Sequence, residues 1–268
     1  MSDIGSSSLD QTEGLKTQND RLKQLGLDKK DFDFIIALAG NPNTGKSTVF
    51  NNLTGLHQHT GNWPGKTVTQ ATGSYEFKGY HYKVVDLPGT YSLLAISEDE
   101  EVARDFILFG GPDVTVIVVD ATVLERNLNL ALQVLEITNN VVVDLNLVDE
   151  AERHKIDVDH EYLSELLGVP VVPTSARYDK GMDELMLAIH KVATGETKCK
   201  PYRIKTESPM LGQALDTLAE KIETIYPHLL NARWIAMRLL DGDERIIQAL
   251  RDDEFAMRDD SMLESHKG

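Results

Sequence analysis

One octapeptide limits what this chain can fold into more than any other feature. Gly40-Asn-Pro-Asn-Thr-Gly45-Lys46-Ser47 has the phosphate-loop spacing of a glycine, four residues and then Gly-Lys-Ser. It follows the apolar run Phe34-Ile-Ile-Ala-Leu-Ala39 and precedes the helical pattern Ser47–Leu53, so the local order is strand, loop, helix. Gly40 and Gly45 let the backbone curl until its N–H groups face a phosphate, and the positive end of the helix adds to the attraction. Lys46 is the expected contact for β- and γ-phosphates and Ser47 the expected Mg²⁺ ligand. Asn41, Asn43, Thr44 and Thr48 complete the nucleotide contacts expected of the loop.

The rest of the pattern supplies the sheet around such a loop. Thr69–Phe77 and Tyr80–Asp86 predict a hairpin about Lys78-Gly79. Val114–Val119, Val141–Leu145 and Val169–Val172 are β-branched runs of the buried type. Helical patterns lie at Glu98–Phe109, Leu124–Thr138, Tyr162–Leu167 and Met182–Ala193. Strands alternating with helices predict an α/β fold, a mostly parallel sheet with helices on both faces. Beyond Gly195 the strand signal stops. Ser208-Pro209 predicts an N-cap with proline at the first helical position. Leu211, Leu215, Leu218, Ile222 and Ile225 then recur at helical spacing. Trp234, Met237 and Leu240 make a second stripe and Ile246, Ile247 and Leu250 a third, all expected to be core. The expected division is a polar tail over 1–32, a nucleotide-binding domain over 33–196 and a small all-helical subdomain over 197–268.

Three further motifs each fall at the carboxyl end of a strand, where α/β folds bind ligands. Asp86-Leu-Pro-Gly89 places an acid for Mg²⁺ and a glycine N–H that senses the γ-phosphate. In Asn146-Leu-Val-Asp149, a carboxylate accepts the N1–H and N2 amino donors of guanine, which adenine lacks. Asp149 is therefore the expected base selector and Asn146 a brace between phosphate loop and base. Thr174-Ser175-Ala176 offers backbone, through Ser175 and Ala176, to the guanine carbonyl. The segment His57–Val68 is expected to be a loop holding the first switch, with Thr67 as the second hydroxyl ligand of Mg²⁺. His57 and His59 are expected to be solvated. Trp63 could shield nucleotide, meet a partner or pack within the loop.

Composition bears on partners. With 27 Lys and Arg against 43 Asp and Glu, the net charge is −16, a poor match for a phosphate backbone, so no nucleic-acid partner is expected. The single cysteine, Cys199, excludes an internal disulfide and suits a reducing compartment. No apolar stretch approaches the eighteen residues of a bilayer span, and Met1–Asp31 lacks the pattern of a signal peptide.

The phosphate loop, Gly61-Asn-Trp-Pro-Gly65-Lys-Thr67-Val68, Asp86-Leu-Pro-Gly89-Thr-Tyr-Ser92-Leu93 and Asn146-Leu-Val-Asp149-Glu-Ala151 together resemble the cytosolic G domain of bacterial ferrous iron transport protein B. The resemblance runs from about Phe32 to Leu250. It implies a GTPase using GTP/GDP, Mg²⁺ and K⁺, with Ser47, Thr67 and Asp86 toward Mg²⁺. It also implies an Asn43 that helps seat K⁺, where a positive charge replaces an arginine finger. The helical segment would then steady the GDP state and relay it to a membrane permease region of the same polypeptide. That places the chain at the cytoplasmic face of the bacterial inner membrane and leaves a homo-oligomer open. On this reading Asn43, Lys46, Thr67 and Gly89 carry catalysis, Gly65 belongs to the nucleotide-contacting switch, and loss of Lys46 abolishes binding.

Three residues depart from GTPase expectation. Thr90 stands where Ras-like enzymes carry a water-orienting glutamine, which predicts slow hydrolysis, though it suits the resembled family. Leu147 replaces a common lysine whose stem packs on the base. Asp144 puts a carboxylate into an apolar strand just before the base motif, where an unpaired acid would be costly. Competing expectations are a non-catalytic nucleotide-gated binding module, a K⁺-dependent GTPase acting on RNA or ribosomes, and metal binding by Asp252, Asp253, Glu254, Asp259 and Asp260.

Overall fold

The computed structural model describes residues 31–255 except 56–57, 95–96, 205–207, 228 and 230, together with Leu22 and Leu27. The tail expected over 1–32, His57, and Asp259 and Asp260 fall wholly or mostly outside the described residues.

The loop-flanking apolar run is strand β1 (Phe34–Gly40), and the phosphate loop leads into α1 (Lys46–Thr54). Strand β2 (Gln58–Asn62), β3 (Thr69–Phe77) and β4 (Tyr80–Asp86) follow. Helix α2 (Glu98–Asp105) widens into a π-helical turn over Phe106–Gly110 before β5 (Val114–Asp120). Then come α3 (Leu124–Ile137), β6 (Val141–Asn146), α4 (Val148–Arg153), α5 (His160–Leu167), β7 (Val171–Pro173) and α6 (Met182–Ala193). The sheet order is β2-β3-β4-β1-β5-β6-β7. β1 pairs in parallel with β4 and β5, and β5–β6–β7 continue in parallel; β2–β3 and β3–β4 are antiparallel.

Alternation along β1 explains the two-sided burial. Ile35 and Ala37 belong to the core under α2, α3 and the C-terminal helices, whereas Ile36 and Leu38 belong to the core under α1 and α6. β1 and β5 thereby read as nearly continuous apolar runs, while Lys83 in β4 and Asp144 in β6 interrupt theirs.

The C-terminal part is helical as its spacing predicts: α7 (Pro209–Ile225), α8 (Ala232–Leu240) and α9 (Glu244–Arg251). Each N-cap side chain, from Ser208, Asn231 and Asp243, accepts a backbone N–H of the first turn. The helices dock on the nucleotide-binding part. Leu215, Ile222, Trp234, Ile235 and Ile246 share the core that holds Val134, Leu135 and Phe106. Arg104 pairs with Asp243 at 3.2 Å and Arg245 with Asp105 at 2.9 Å, while Asn231 donates to the Glu136 carbonyl.

Some expectations need correction. The segment His57–Val68 is not all loop, because Gln58–Asn62 pairs with β3 from Gly73 back to Thr69. Backbone pairing outweighs the weak β propensity of Gln-His-Thr-Gly-Asn. In the helical subdomain Trp234 is buried, but Met237 is 37% and Leu240 52% exposed. The buried face of α8 is Ala232, Trp234, Ile235 and Ala236, so the helix packs through its N-terminal half and its last turn is partly exposed. Leu211 and Ile225, at the two ends of the α7 stripe, are exposed too. No helix among the described residues is long and apolar enough to cross a membrane.

Candidate functional site

The phosphate loop spans the gap between the end of β1 and α1. Gly45 caps α1 with a φ of 84°, and a Cβ there would lie 2.3 Å from the Asn146 side-chain amide, so only glycine fits. Helix α1 has no side-chain cap, which leaves its N-terminal N–H groups for a ligand. Asn41 is buried with neither amide atom hydrogen-bonded among the described residues, and a bound anion would accept from its amide N–H. Thr44 is buried and its hydroxyl donates to the Asn41 carbonyl at 3.0 Å, tightening the loop. Asn43 sits at φ 68° on the exposed lip, and Ser47 and Thr48 are exposed on the first turn of α1.

Lys46 does not hang free. Its ammonium donates to Asp86 Oδ1 at 2.5 Å and to the Leu87 carbonyl at 2.7 Å. Burial pushes the Asp86 carboxyl above its ordinary value, against the opposing charge and hydrogen bond of Lys46. The same β1–β4 pairing that aligns Leu38 with Asp86 places the acid beside the loop. Gly89 lies against Pro42, where a Cβ would come within 3.4 Å. The Thr90 N–H donates to the Gly40 carbonyl at 3.3 Å, and the Thr90 side chain is buried rather than offered to a water.

The base side is built by β6, β7 and the turns after them. Asn146 is the join: its Nδ2 donates to the Thr44 carbonyl at 3.0 Å and its Oδ1 accepts from the Ala176 N–H at 3.1 Å. Asp149 offers one buried oxygen, Oδ1, with no partner among the described residues, while Arg153 donates to the other at 2.5 Å. Burial raises the Asp149 carboxyl, but hydrogen bonds from Ser175 and Arg153 and the charge of Arg153 outweigh it and hold the acid ionised well into the acid range. The Asp149 N–H donates to Ser175 Oγ at 3.2 Å. Leu147 sits at φ 64°, a left-handed backbone that costs a branched residue about 1 kcal/mol and is held by the turn into α4.

Thr67 and Gly65 are not gathered at this site. The Thr67 hydroxyl is exposed and donates to Glu98 at 2.8 Å, and neighbouring Lys66 pairs with Glu101 at 3.0 Å. The segment expected to hold the first switch is thus latched to the acidic start of α2. Trp63 anchors the latch. It is buried and stacks edge-on against Phe106 at 5.4 Å, so of its three expected roles it fills loop packing. Beside it a cavity of about 260 Å³ opens between switch, π-helical turn and Arg245. His59 is exposed on β2. Of the acidic C-terminal cluster, Asp252 accepts from Gln248 and Glu254 pairs with Arg245. No group of three potential metal ligands occurs among the described residues.

Two contributors escaped the sequence reading. Asn52 on α1 donates to the Ala176 carbonyl at 2.5 Å, and the Thr174 hydroxyl sits between Asp144 and Asn146. Neither has a local signal, since the first contact spans 124 residues of chain.

A phosphate loop with an uncapped helix, an acid at the end of β4 and a half-buried carboxylate on the base side define a P-loop nucleotide-binding G domain with an appended helical domain. The pattern of the family described as ferrous iron transport protein B matches residues 34–189, and that of the FeoB cytosolic helical domain matches 208–267. The chain belongs to the ferrous iron transport protein B family. It is 41% identical over 212 residues to the Fe(2+) transporter FeoB of Escherichia coli, covering 78% of this chain and 27% of that relative. The chain therefore spans about a quarter of the length of the curated relatives it matches. Among solved structures, the cytosolic domain of L. pneumophila FeoB superposes with a TM-score of 0.74 at 36% identity, covering 82% of this chain and 87% of that one. The T. maritima FeoB cytosolic domain in a GDP form superposes with a TM-score of 0.72 at 33% identity, over 84% and 86%.

Proposed function

We propose that this chain binds GTP and GDP and slowly hydrolyses GTP, as the nucleotide switch of a ferrous iron transporter at the cytoplasmic face of a bacterial inner membrane. In this reading residues 33–196 are the GTP-binding unit. Residues 197–268 are the helical unit that passes the nucleotide state to a membrane permease region of the same polypeptide. The observation that carries the proposal is Asn146, whose one side chain ties the phosphate loop to the base-side loop, so both ends of a guanine nucleotide have a fixed separation. The GDP form of the T. maritima relative supports the choice of base.

The residues work as follows. Lys46 exchanges Asp86 for the β- and γ-phosphates, where a mobile ammonium offsets charge building on the bridging oxygen. The free oxygen of Asp149 accepts from guanine, and exposed Arg153 gives up the other. Ser47, Asp86 and, once it leaves Glu98, Thr67 are the hard oxygen donors that would hold Mg²⁺, which neutralises phosphate charge when bound. Asn43, exposed on the lip, would hold a K⁺ that supplies the charge an arginine finger gives elsewhere. Main-chain groups near Gly65 and Gly89 place the water, since no side chain serves as general base and Thr90 is buried. Departure of the γ-phosphate returns Thr67 to Glu98, and α2 transmits the change.

The test is GTP turnover with Mg²⁺ in KCl and NaCl of matched ionic strength. Turnover rises with K⁺ and the rise disappears in Asn43→Ala. Turnover indifferent to the cation would overturn the K⁺ site and leave a guanine-nucleotide switch that hydrolyses slowly without it; no turnover in either salt would leave a non-catalytic nucleotide-gated binding module.

A further inference from the structure

Asp144 is fully buried in the middle of β6, between Val118 of β5 and Val172 of β7. The Thr174 hydroxyl donates to its Oδ1 at 2.5 Å and also lies 3.2 Å from Asn146 Oδ1. The second oxygen of Asp144 has no hydrogen-bond partner among the described residues. A hydroxyl carries one proton, so Thr174 serves one acceptor at a time. With Asp144 ionised, the anion takes that proton and Asn146 Oδ1 keeps only the Ala176 N–H. With Asp144 protonated, its own O–H donates to Thr174 Oγ1, and the Thr174 proton turns to Asn146. The direction of the Asp144–Thr174–Asn146 relay follows from one proton, while Asn146 Nδ2 donates to the Thr44 carbonyl in either state.

We propose that Asp144 is a proton-linked positioning residue for the guanine nucleotide: taking up a proton from solvent, it adds a hydrogen bond to Asn146 and slows nucleotide release. The inference rests on the guanine-nucleotide reading of the site.

The surroundings single this acid out. Among the described residues, α1 brings one charged group to this face, Lys46, which is paired with Asp86. From α6, Asp183, Glu184 and Lys191 are exposed and His190 is bonded to the Tyr82 hydroxyl. Asp120 of β5 caps Thr122, Asp149 beyond β6 is held by Arg153, and β7 carries no ionisable side chain. Burial pushes the Asp144 carboxyl up to about 7, opposed only by the Thr174 hydrogen bond, so the proton is exchanged within the range where proteins work.

The experiment follows release of the N-methylanthraniloyl derivative of GDP from the whole chain between pH 5.5 and 8.5, at fixed ionic strength and Mg²⁺. Release from the unaltered protein is about three- to tenfold slower at the acid end, the worth of one added hydrogen bond. In Asp144→Asn the amide donates to Thr174 at every pH, so that step is lost and release stays slow. Thr174→Ser keeps the step and Thr174→Val loses it, which separates the hydroxyl relay from simple packing. The phosphate of the ligand itself titrates near about pH 6, so the difference between variant and parent is what counts. An equal pH step in Asp144→Asn and the parent overturns the proposal, as does a flat parent profile. Failure of the parent to bind the probe at any pH instead overturns the guanine reading of the site.

Discussion

At the residue scale, Asp144 inside β6 and Asp149 in the helix that follows it are two carboxylates with opposite environments. Ser175 and Arg153 hold Asp149 ionised, which suits an acceptor for two guanine donors. Asp149→Asn replaces one acceptor with a donor, so the variant prefers xanthine over guanine nucleotides by about tenfold or more, measured by competition binding. Equal GTP and XTP affinity would count against the assignment. Asp144 is the reverse case: its folded value, about 7, lies above the ordinary 3.8. The folded state therefore binds the extra proton, and stability that is full below about pH 4 is lost as pH rises through 7. Asp144→Asn escapes that loss. Urea midpoints of variant and parent coincide near pH 4, and the variant is more stable at pH 8 by on the order of 2 kcal/mol.

The element that matters most is the switch segment between α1 and β3, which is half strand and half latch. Its composition, Gln-His-Thr-Gly-Asn-Trp-Pro-Gly, gives no alternation from which a strand could be inferred. It pairs because β3 presents an open edge. Trp63 holds the latch by burial, although its indole N–H has no acceptor among the described residues. Trp63→Phe keeps the ring contact with Phe106 and removes an unsatisfied donor, so its thermal midpoint stays within a degree or two of the parent or rises. Trp63→Ala opens a cavity and costs about 3 kcal/mol in denaturant unfolding. The hairpin β3–β4 and helix α6 match their sequence patterns residue for residue because turn chemistry and periodicity are local. Helix α4 was not legible, since six residues entered through a left-handed Leu147 carry too short a pattern.

Across the whole molecule, the nucleotide-binding part and the helical part meet through α2, the helix that follows the Asp86-Leu-Pro-Gly89 motif. Arg104 and Asp105 on α2 reach Asp243 and Arg245 on the helical side, and Arg245 covers the Phe109 ring at 4.6 Å. Burial raises the Asp105 carboxyl and Arg245 and Arg104 offset it, so removing Arg245 leaves a partly buried acid half-stranded, with Arg104 as its remaining partner. Arg245→Ala lowers unfolding stability by about 1–3 kcal/mol, less at pH 5 than at pH 8 because protonation relieves the stranded acid. Differential scanning calorimetry at the two pH values checks both the size and the sign. An unchanged midpoint would mean that the joint is carried by Trp234 and its apolar neighbours alone.

What the sequence determined by itself is whatever depends on neighbours in the chain: the strand–loop–helix of the phosphate loop, the cap at Ser208, the alternation of strands with helices. The four motifs were also legible, because each is a short run with its own chemistry. The tertiary structure decided the rest, for a physical reason common to every case. Lys46 on Asp86, Thr67 on Glu98, Asn52 on Ala176, and the Thr174 hydroxyl on Asp144 and Asn146 are contacts between residues 28 to 124 positions apart. Their partners are chosen by sheet order and register, which no local pattern encodes. An acid intruding into an apolar strand could be noticed in the sequence; only the fold shows that it lies one hydroxyl away from the residue joining phosphate loop to base.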